Sequence, residues 1–410
     1  MPQIDVLYIH PLGKNPAFSR KYFKKAGKTA AEHCFGFIPM GIIGVINNLI
    51  KHGLKVRGIS LPLKKRINPS FSLEECLKFY NPKVILIDMH WYVQIKNGLE
   101  TARQCKKIHG CKIIIGGMSA TLFYEELLKI SYIDYVLKGD AEKPLAELCS
   151  AILGNKPKNK IQNIASGNFD NEITYSCTDI DNYDYVNMGF LEDSEAYISM
   201  FDFWLMVGKG CPFNCEHCDG SHHKTKALFG RNSTIFRSPE NVVKDLKSIS
   251  AETVNFSLDL SLMPDELIER LSKEKFNSNL RNEFFHTADL CKLRKLKGSF
   301  PSFDFVFSPI AGNEDVRKKY GKPFSNKQFL DCLRRIEEED YNGGIIVYFT
   351  DYVIYPEKAV KLDENARNEF IRKILEIVPY ALVKVLPQVA DPGTLKGRIP
   401  IKRLFRLYSA

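Results

Sequence analysis

Residues 199–218 read Ser-Met-Phe-Asp-Phe-Trp-Leu-Met-Val-Gly-Lys-Gly-Cys-Pro-Phe-Asn-Cys-Glu-His-Cys. The first nine, 199–207, read as a strand, and a loop at its carboxyl end carries Cys211, Cys215 and Cys218 in a CxxxCxxC spacing. Three thiolates packed this tightly can hold three corners of a cubane 4Fe–4S cluster. No fourth cysteine follows within reach of the same loop. Such a cluster leaves one iron open to bind and activate a small molecule, which separates it from an electron carrier ligated by four cysteines. The competing uses are three unrelated thiols or a structural zinc knuckle. His217, His222 and His223 lie near enough in sequence to enter a zinc site, although zinc usually takes four ligands from paired CxxC or CxxH units.

Outward from the cysteines, the carboxy-terminal half repeats a strand–helix pattern. Ser238-Pro239-Glu240 is a helix start, with serine as N-cap, proline at N1 and an acidic first turn. Strands are expected at 253–258, 282–287, 303–308, 344–350 and 381–386. With the strand before the cysteines, these make six β/α units and a partial barrel open on one side. Ligands of such barrels occupy the carboxyl-terminal mouth.

Residues 1–153 alternate in the same way. Strands are expected at 4–10, 54–61, 84–90, 111–118 and 132–137, with helices between them, which implies a parallel sheet covered on both faces. Ligands of such sheets sit at the strands' carboxyl ends. Gly116-Gly117-Met118-Ser119-Ala120-Thr121 follows the fourth strand and Lys138-Gly139-Asp140 the fifth. His10 ends the first strand and His90-Trp91 the third. Residues 154–195 are polar and read as a linker, 196–395 as the barrel, and 396–410 as a tail too short for a further domain.

Composition narrows the setting. The chain has 410 residues, 44% hydrophobic and 26% charged, ordinary for a globular protein. No apolar stretch reaches the length of a membrane span and no signal peptide opens the chain. Eleven irregularly spaced cysteines then suggest reduced thiols in a cytoplasmic compartment. The net charge of +10 is carried by dispersed lysines without the interleaved aromatics of a nucleic-acid platform, so nucleic acid is not the expected partner.

The cysteine spacing resembles the signature of radical S-adenosylmethionine (radical SAM) enzymes. The resemblance implies that the open iron chelates SAM, and that an electron from an external donor such as a flavodoxin or ferredoxin leads to its cleavage to methionine and a 5′-deoxyadenosyl radical. It also implies that His217 takes the place of an aromatic usual before the third cysteine, where it would meet the adenine. Asp259 would accept from the SAM ammonium, and Ser308 would meet the ribose or carboxylate. An acidic residue usual near Ser308 is absent from that stretch.

The amino-terminal half resembles the cobalamin-binding domain placed before many radical SAM barrels. By that resemblance Gly116 and Gly117 let the backbone approach the cofactor's nucleotide tail, Ser119 and Thr121 offer it hydroxyls, and Gly139 flanks it. His10 stands where related domains carry a cobalt ligand, but the orienting aspartate of that motif is replaced by Tyr8. His90 would cover a corrin face or pack at the strand end. The implied fold class is α/β: a flavodoxin-like, Rossmann-type cobalamin domain followed by a partial (β/α)6 barrel. The implied activity is methyl transfer from methylcobalamin to a carbon of an unidentified small molecule, lipid or peptide. Cyclisation, ring rearrangement or oxidation with the same cofactors, and a sensor that binds SAM without turnover, are the alternatives. A methylthiotransferase would need a further cluster from cysteines such as Cys34, Cys76 and Cys105 or Cys111.

Overall fold

The computed structural model describes residues 3–25 and 36–410. The chain divides into two compact units. The first comprises Met1–Tyr197, His223–Asn232 and Asp391–Ala410, and the second Ile198–His222 and Ser233–Ala390.

In the first unit five strands pair in parallel: β1 (Val6–His10), β2 (Val56–Ser60), β3 (Val84–Asp88), β4 (Lys112–Gly116) and β5 (Tyr135–Leu137). Their spatial order is β2-β1-β3-β4-β5. Every residue of β1 and β3 is buried, as expected for strands covered by helices on both faces. The stretch expected as a linker does more than connect. It adds β6 (Ile164–Ser166) and β7 (Phe169–Asp170) as an antiparallel hairpin on the β5 edge. Asn163 holds this extension. Its side-chain amide donates to the carbonyls of Asp140 and Tyr175, and its Oδ1 accepts from the Thr174 and Tyr175 N–H groups. A polar composition hid the hairpin, because a short edge ribbon needs little apolar surface.

The second unit holds six parallel strands in the order β8-β11-β12-β13-β14-β16. These are β8 (Phe203–Leu205), β11 (Thr253–Phe256), β12 (Asn279–Phe284), β13 (Phe303–Ile310), β14 (Ile345–Ile354) and β16 (Leu382–Val389). Two short strands, β9 (Gly208–Lys209) and β10 (Ile235–Phe236), pair antiparallel beside the cysteine loop. A further one, β15 (Ala359–Lys361), pairs antiparallel with the end of β14. The six parallel strands are those expected, but the first is shorter than its sequence suggests. Residues Ser194–Phe201 form a helix, and Asp202 then breaks it in a left-handed conformation. Arg281 donates to the Asp202 carboxylate at 2.5 Å and to that of Asp304, tying the break to β12 and β13. Apolar spacing alone could not separate this helix end from a strand.

Parallel register also fixes which side chains share a face. Trp204, Asn255, Arg281 and Asp304 form one row across β8, β11, β12 and β13. Glu283, Val306, Ile346 and Leu382 form the next row towards the carboxyl ends. The opposite face supplies buried phenylalanines. Phe284, Phe305 and Phe307 pack within 6.3 Å of one another by ring centroids, and Phe307 meets Phe329 of the helix Asn326–Glu338.

The carboxy-terminal tail is a helix, Ile401–Ser409, that completes the first unit. Leu404 and Tyr408 are buried, and Tyr408 meets Phe18 at 5.2 Å and Tyr92 at 5.7 Å. Phe405 meets Phe123 at 5.4 Å. No helix among the described residues is long and apolar enough to cross a membrane. Truncating the Leu404 side chain to alanine leaves a cavity in this aromatic seam. The Leu404→Ala variant is expected to lose about 2–4 kcal/mol of stability in urea unfolding followed by circular dichroism.

Candidate functional site

The cysteine loop leaves β9 and enters the helix His222–Phe229. The Cys218 N–H donates to the Cys215 carbonyl, and the His222 N–H donates to the Phe213 carbonyl at 2.8 Å, closing the loop on itself. Cys211, Cys215 and Cys218 are half-buried. Among the described residues no three His, Cys, Asp or Glu side chains already converge as they would around a metal ion. The donor set nonetheless fits a cluster: three thiols, none in a disulfide, on one loop at the carboxyl ends of the parallel strands. Burial raises the thiols of Cys211 and Cys215 above their ordinary value, while the nearby Lys322 ammonium favours their thiolates. The other described cysteines are buried, apart from exposed Cys291. Burial pushes the thiols of Cys76 to about 12 and Cys111 to about 11, and raises that of Cys105. Such thiols are poor metal ligands. Cys34 lies outside the described residues.

His217 turns its ring edge-on to Tyr320, at 6.1 Å between centroids. Its Nδ1 is buried without a hydrogen-bond partner, and burial holds the imidazole neutral, with its pKa lowered to about 4. His286 packs against Phe213 with the rings tilted, 3.9 Å between centroids, and is likewise lowered to about 4 by burial.

Asp259 follows β11 and is 2% exposed. Its Oδ1 accepts from the Ser261 N–H and its Oδ2 from the Phe285 N–H, both at 2.8 Å. Asn282 clamps the same turn by donating to the Leu258 carbonyl and accepting from the Leu260 N–H. Burial raises the Asp259 carboxyl to about 6. Ser308 lies at a bulge in β13, beside Ile310 with φ +69°, a rare conformation for a β-branched residue. Its Oγ donates to Glu283 Oε1 at 2.7 Å. The carboxylate beside Ser308 thus comes from the neighbouring strand β12 and not from its own stretch of sequence. Sequence reading missed Glu283, although a carboxylate inside an apolar strand pattern was a usable signal.

A carboxylate also reaches across strands in the first unit. His10 is fully buried, and its Nδ1 lies 3.0 Å from Asp88 Oδ1. Asp88 ends β3. It also accepts from the Tyr8 hydroxyl at 2.9 Å and from Gln94 Nε2 at 2.8 Å. Burial would raise this carboxyl, but His10, Gln94 and Tyr8 together hold it below its ordinary value. An orienting carboxylate for His10 therefore exists, supplied by Asp88 rather than by the Tyr8 position. Neither Asp88 nor Gln94 was marked in the sequence.

The remaining strand-end residues are brought together at the carboxyl ends of β3, β4 and β5. Gly117 has φ +110°, and a Cβ there would lie 2.7 Å from the His90 backbone, so only glycine fits. Gly117 is therefore required by the contact between the two strand ends, whereas a Cβ at Gly116 would meet Leu137 at an ordinary 3.7 Å. Thr121 Oγ1 donates to the Gly117 carbonyl and accepts from the Gly139 N–H, at 2.8 and 2.9 Å. Ser119 Oγ lies 3.3 Å from the His90 carbonyl. These hydroxyls bind backbone, where the sequence suggested they would face a ligand. His90 is half-buried, lowered to about 4 by burial, and edge-on to Trp91 at 4.3 Å. Gly116 opens this turn at the end of β4.

Residues 205–361, which contain the three cysteines, Asp259, Glu283, Ser308 and Lys322, match the radical SAM superfamily. No curated protein sequence matches the chain. Among solved structures, the radical SAM methyltransferase TsrM from Kitasatospora setae, with tryptophan substrate and a SAM analogue bound, is 12% identical with a TM-score of 0.65. That match covers 93% of this chain and 72% of TsrM. TsrM with cobalamin and a [4Fe–4S] cluster bound gives the same TM-score at 11% identity, over 96% of this chain and 77% of that one. The cobalamin-dependent radical SAM enzyme OxsB, with aqua-cobalamin bound, is 14% identical with a TM-score of 0.64, over 98% of this chain and 56% of OxsB. At these identities the shared property is the fold: a mixed α/β chain with two parallel sheets.

Two outcomes follow from the buried carboxylates. Asp88→Ala is expected to cost about 3 kcal/mol near neutral pH, because it strands buried donors. The folded-state pKa of Asp88 is depressed, so its stabilisation is full above the ordinary carboxyl range and is lost on acidification through the folded value. The gap between wild type and variant in urea unfolding should therefore narrow below about pH 4. Asp259 has the opposite sign. Its raised pKa weakens the fold as pH rises towards about 6, and Asp259→Asn should remove that slope from the stability profile.

Proposed function

We propose that this protein is a cobalamin-dependent radical SAM enzyme that transfers a methyl group to a carbon atom of its substrate. The observation that carries this reading is the placement of three half-buried thiols, with no fourth cysteine on their loop, at the carboxyl ends of the parallel strands in the segment matching the radical SAM superfamily. The separate parallel sheet of order β2-β1-β3-β4-β5 supports a cobalamin domain over residues 1–153. When bound, the cluster and SAM supply a radical initiator, and the corrinoid supplies the methyl group.

The chain's own residues bind and orient. Cys211, Cys215 and Cys218 would hold the cluster. Asp259, fixed by two backbone N–H groups, retains lone pairs for the SAM ammonium. The half-buried His217 would face the adenine as a neutral ring. Ser308, tethered to Glu283, would meet the ribose or carboxylate. In the first unit, half-buried His90 and Trp91 would cover the corrin, while Gly116, Gly117, Ser119, Thr121 and Gly139 shape the turns beside its tail. His10 is fully buried with Asp88, which supports a role in clasping β1 to β3.

None of the ten described cysteines is in a disulfide, which supports a reducing, cytoplasmic setting and an external one-electron donor of the flavodoxin or ferredoxin type. Replacing any one of Cys211, Cys215 or Cys218 by alanine should abolish 5′-deoxyadenosine formation from SAM in anaerobically reconstituted protein under strong reduction. Retained formation would refute the cluster assignment. A product heavier by one methyl group marks methylation, and a product that has lost hydrogens marks oxidation or cyclisation.

A further inference from the structure

Lys322 lies just beyond the helix Glu314–Lys319, next to Gly321. Gly321 has φ +86°, and a Cβ there would lie 2.8 Å from Cys215 Cα and 2.9 Å from the Asn214 carbonyl oxygen. The backbone therefore runs directly against the cysteine loop, at a distance that only glycine permits. The next side chain, Lys322, is 6% exposed. Its Nζ donates to the Phe285 carbonyl at 3.0 Å, and the Phe285 N–H donates to Asp259. The Lys322 charge acts on the thiols of Cys211 and Cys215, on the imidazoles of His217 and His286 and on the Asp259 carboxyl. Among the described residues no carboxylate forms an ion pair with it. A buried ammonium is costly unless an anion stands near it.

We propose that Lys322 is a positioning residue of the cluster site, whose fixed ammonium is the countercharge to the three-thiolate cluster and raises its reduction potential. This rests on the cluster reading above. The step concerned is a one-electron transfer: the external donor loses one electron, the cluster gains it, and no bond is made or broken. Reduction makes the cluster site more negative by one charge. A fixed cation beside it therefore stabilises the reduced form more than the oxidised one, and its removal moves the potential to more negative values.

The test is an anaerobic redox titration of reconstituted wild-type, Lys322→Gln and Lys322→Arg proteins with dithionite, monitored by electron paramagnetic resonance, with iron and sulfide measured on each sample. The expected result is a potential shifted downward in Lys322→Gln and restored towards wild type in Lys322→Arg. An unchanged potential in Lys322→Gln with full iron and sulfide overturns the proposal while leaving the cluster reading intact, as does a change confined to SAM affinity. Cluster loss in Lys322→Gln but not in Lys322→Arg supports the charge requirement. Loss in both assigns Lys322 to packing and overturns the proposal. Absence of iron and sulfide from wild type overturns the cluster reading with it.

Discussion

Parallel pairing puts the carboxyl ends of all strands in a sheet on one edge, and that constraint organises both units. Helical crossovers must return each chain to the opposite edge before the next strand begins. The carboxyl edge is left to loops, whose side chains and backbone groups are free of the ladder. The cysteine loop, Asp259, Ser308, His10, His90 and Gly117 all stand on or just beyond such an edge. Short strands serve this purpose well: β8 has only three residues before the chain turns towards the thiols.

Carboxylates at these edges are held by neighbouring strands. Asp88 reaches His10 from β3, and Glu283 reaches Ser308 from β12. In each pair a group on one strand is oriented by a charge that adjacent strands bring near. Such a bond costs desolvation, and it persists here because several donors share the carboxylate. Asp88 receives three. The outcome is a strand end cross-linked to its neighbour by several hydrogen bonds.

This arrangement explains what could be read in the sequence. The alternation of strands and helices was legible because parallel strands buried on both faces are continuous apolar runs, such as Val84–Asp88. The thiols were legible because their spacing is local. The helix Ser194–Phe201 and the β6–β7 hairpin were not, since one depends on a left-handed turn at Asp202 and the other on Asn163 bridging distant carbonyls. Asp88, Glu283 and Lys322 were missed because their partners lie 78, 25 and 37 residues away and meet them only through the fold. Thr121 and Gly117 were noticed for a ligand role, yet backbone contacts alone account for their identity.

The proposed function requires an iron–sulfur cluster at the cysteine loop and a corrinoid at the sheet of the first unit. The visible absorption spectrum of anaerobically purified protein, reconstituted with iron, sulfide and cobalamin, tests both at once. The expected spectrum shows corrin bands together with iron–sulfur charge transfer in the same gel-filtered sample. A sample that retains the iron–sulfur absorption but no corrin bands would contradict the cobalamin assignment, and one without either would contradict the account as a whole.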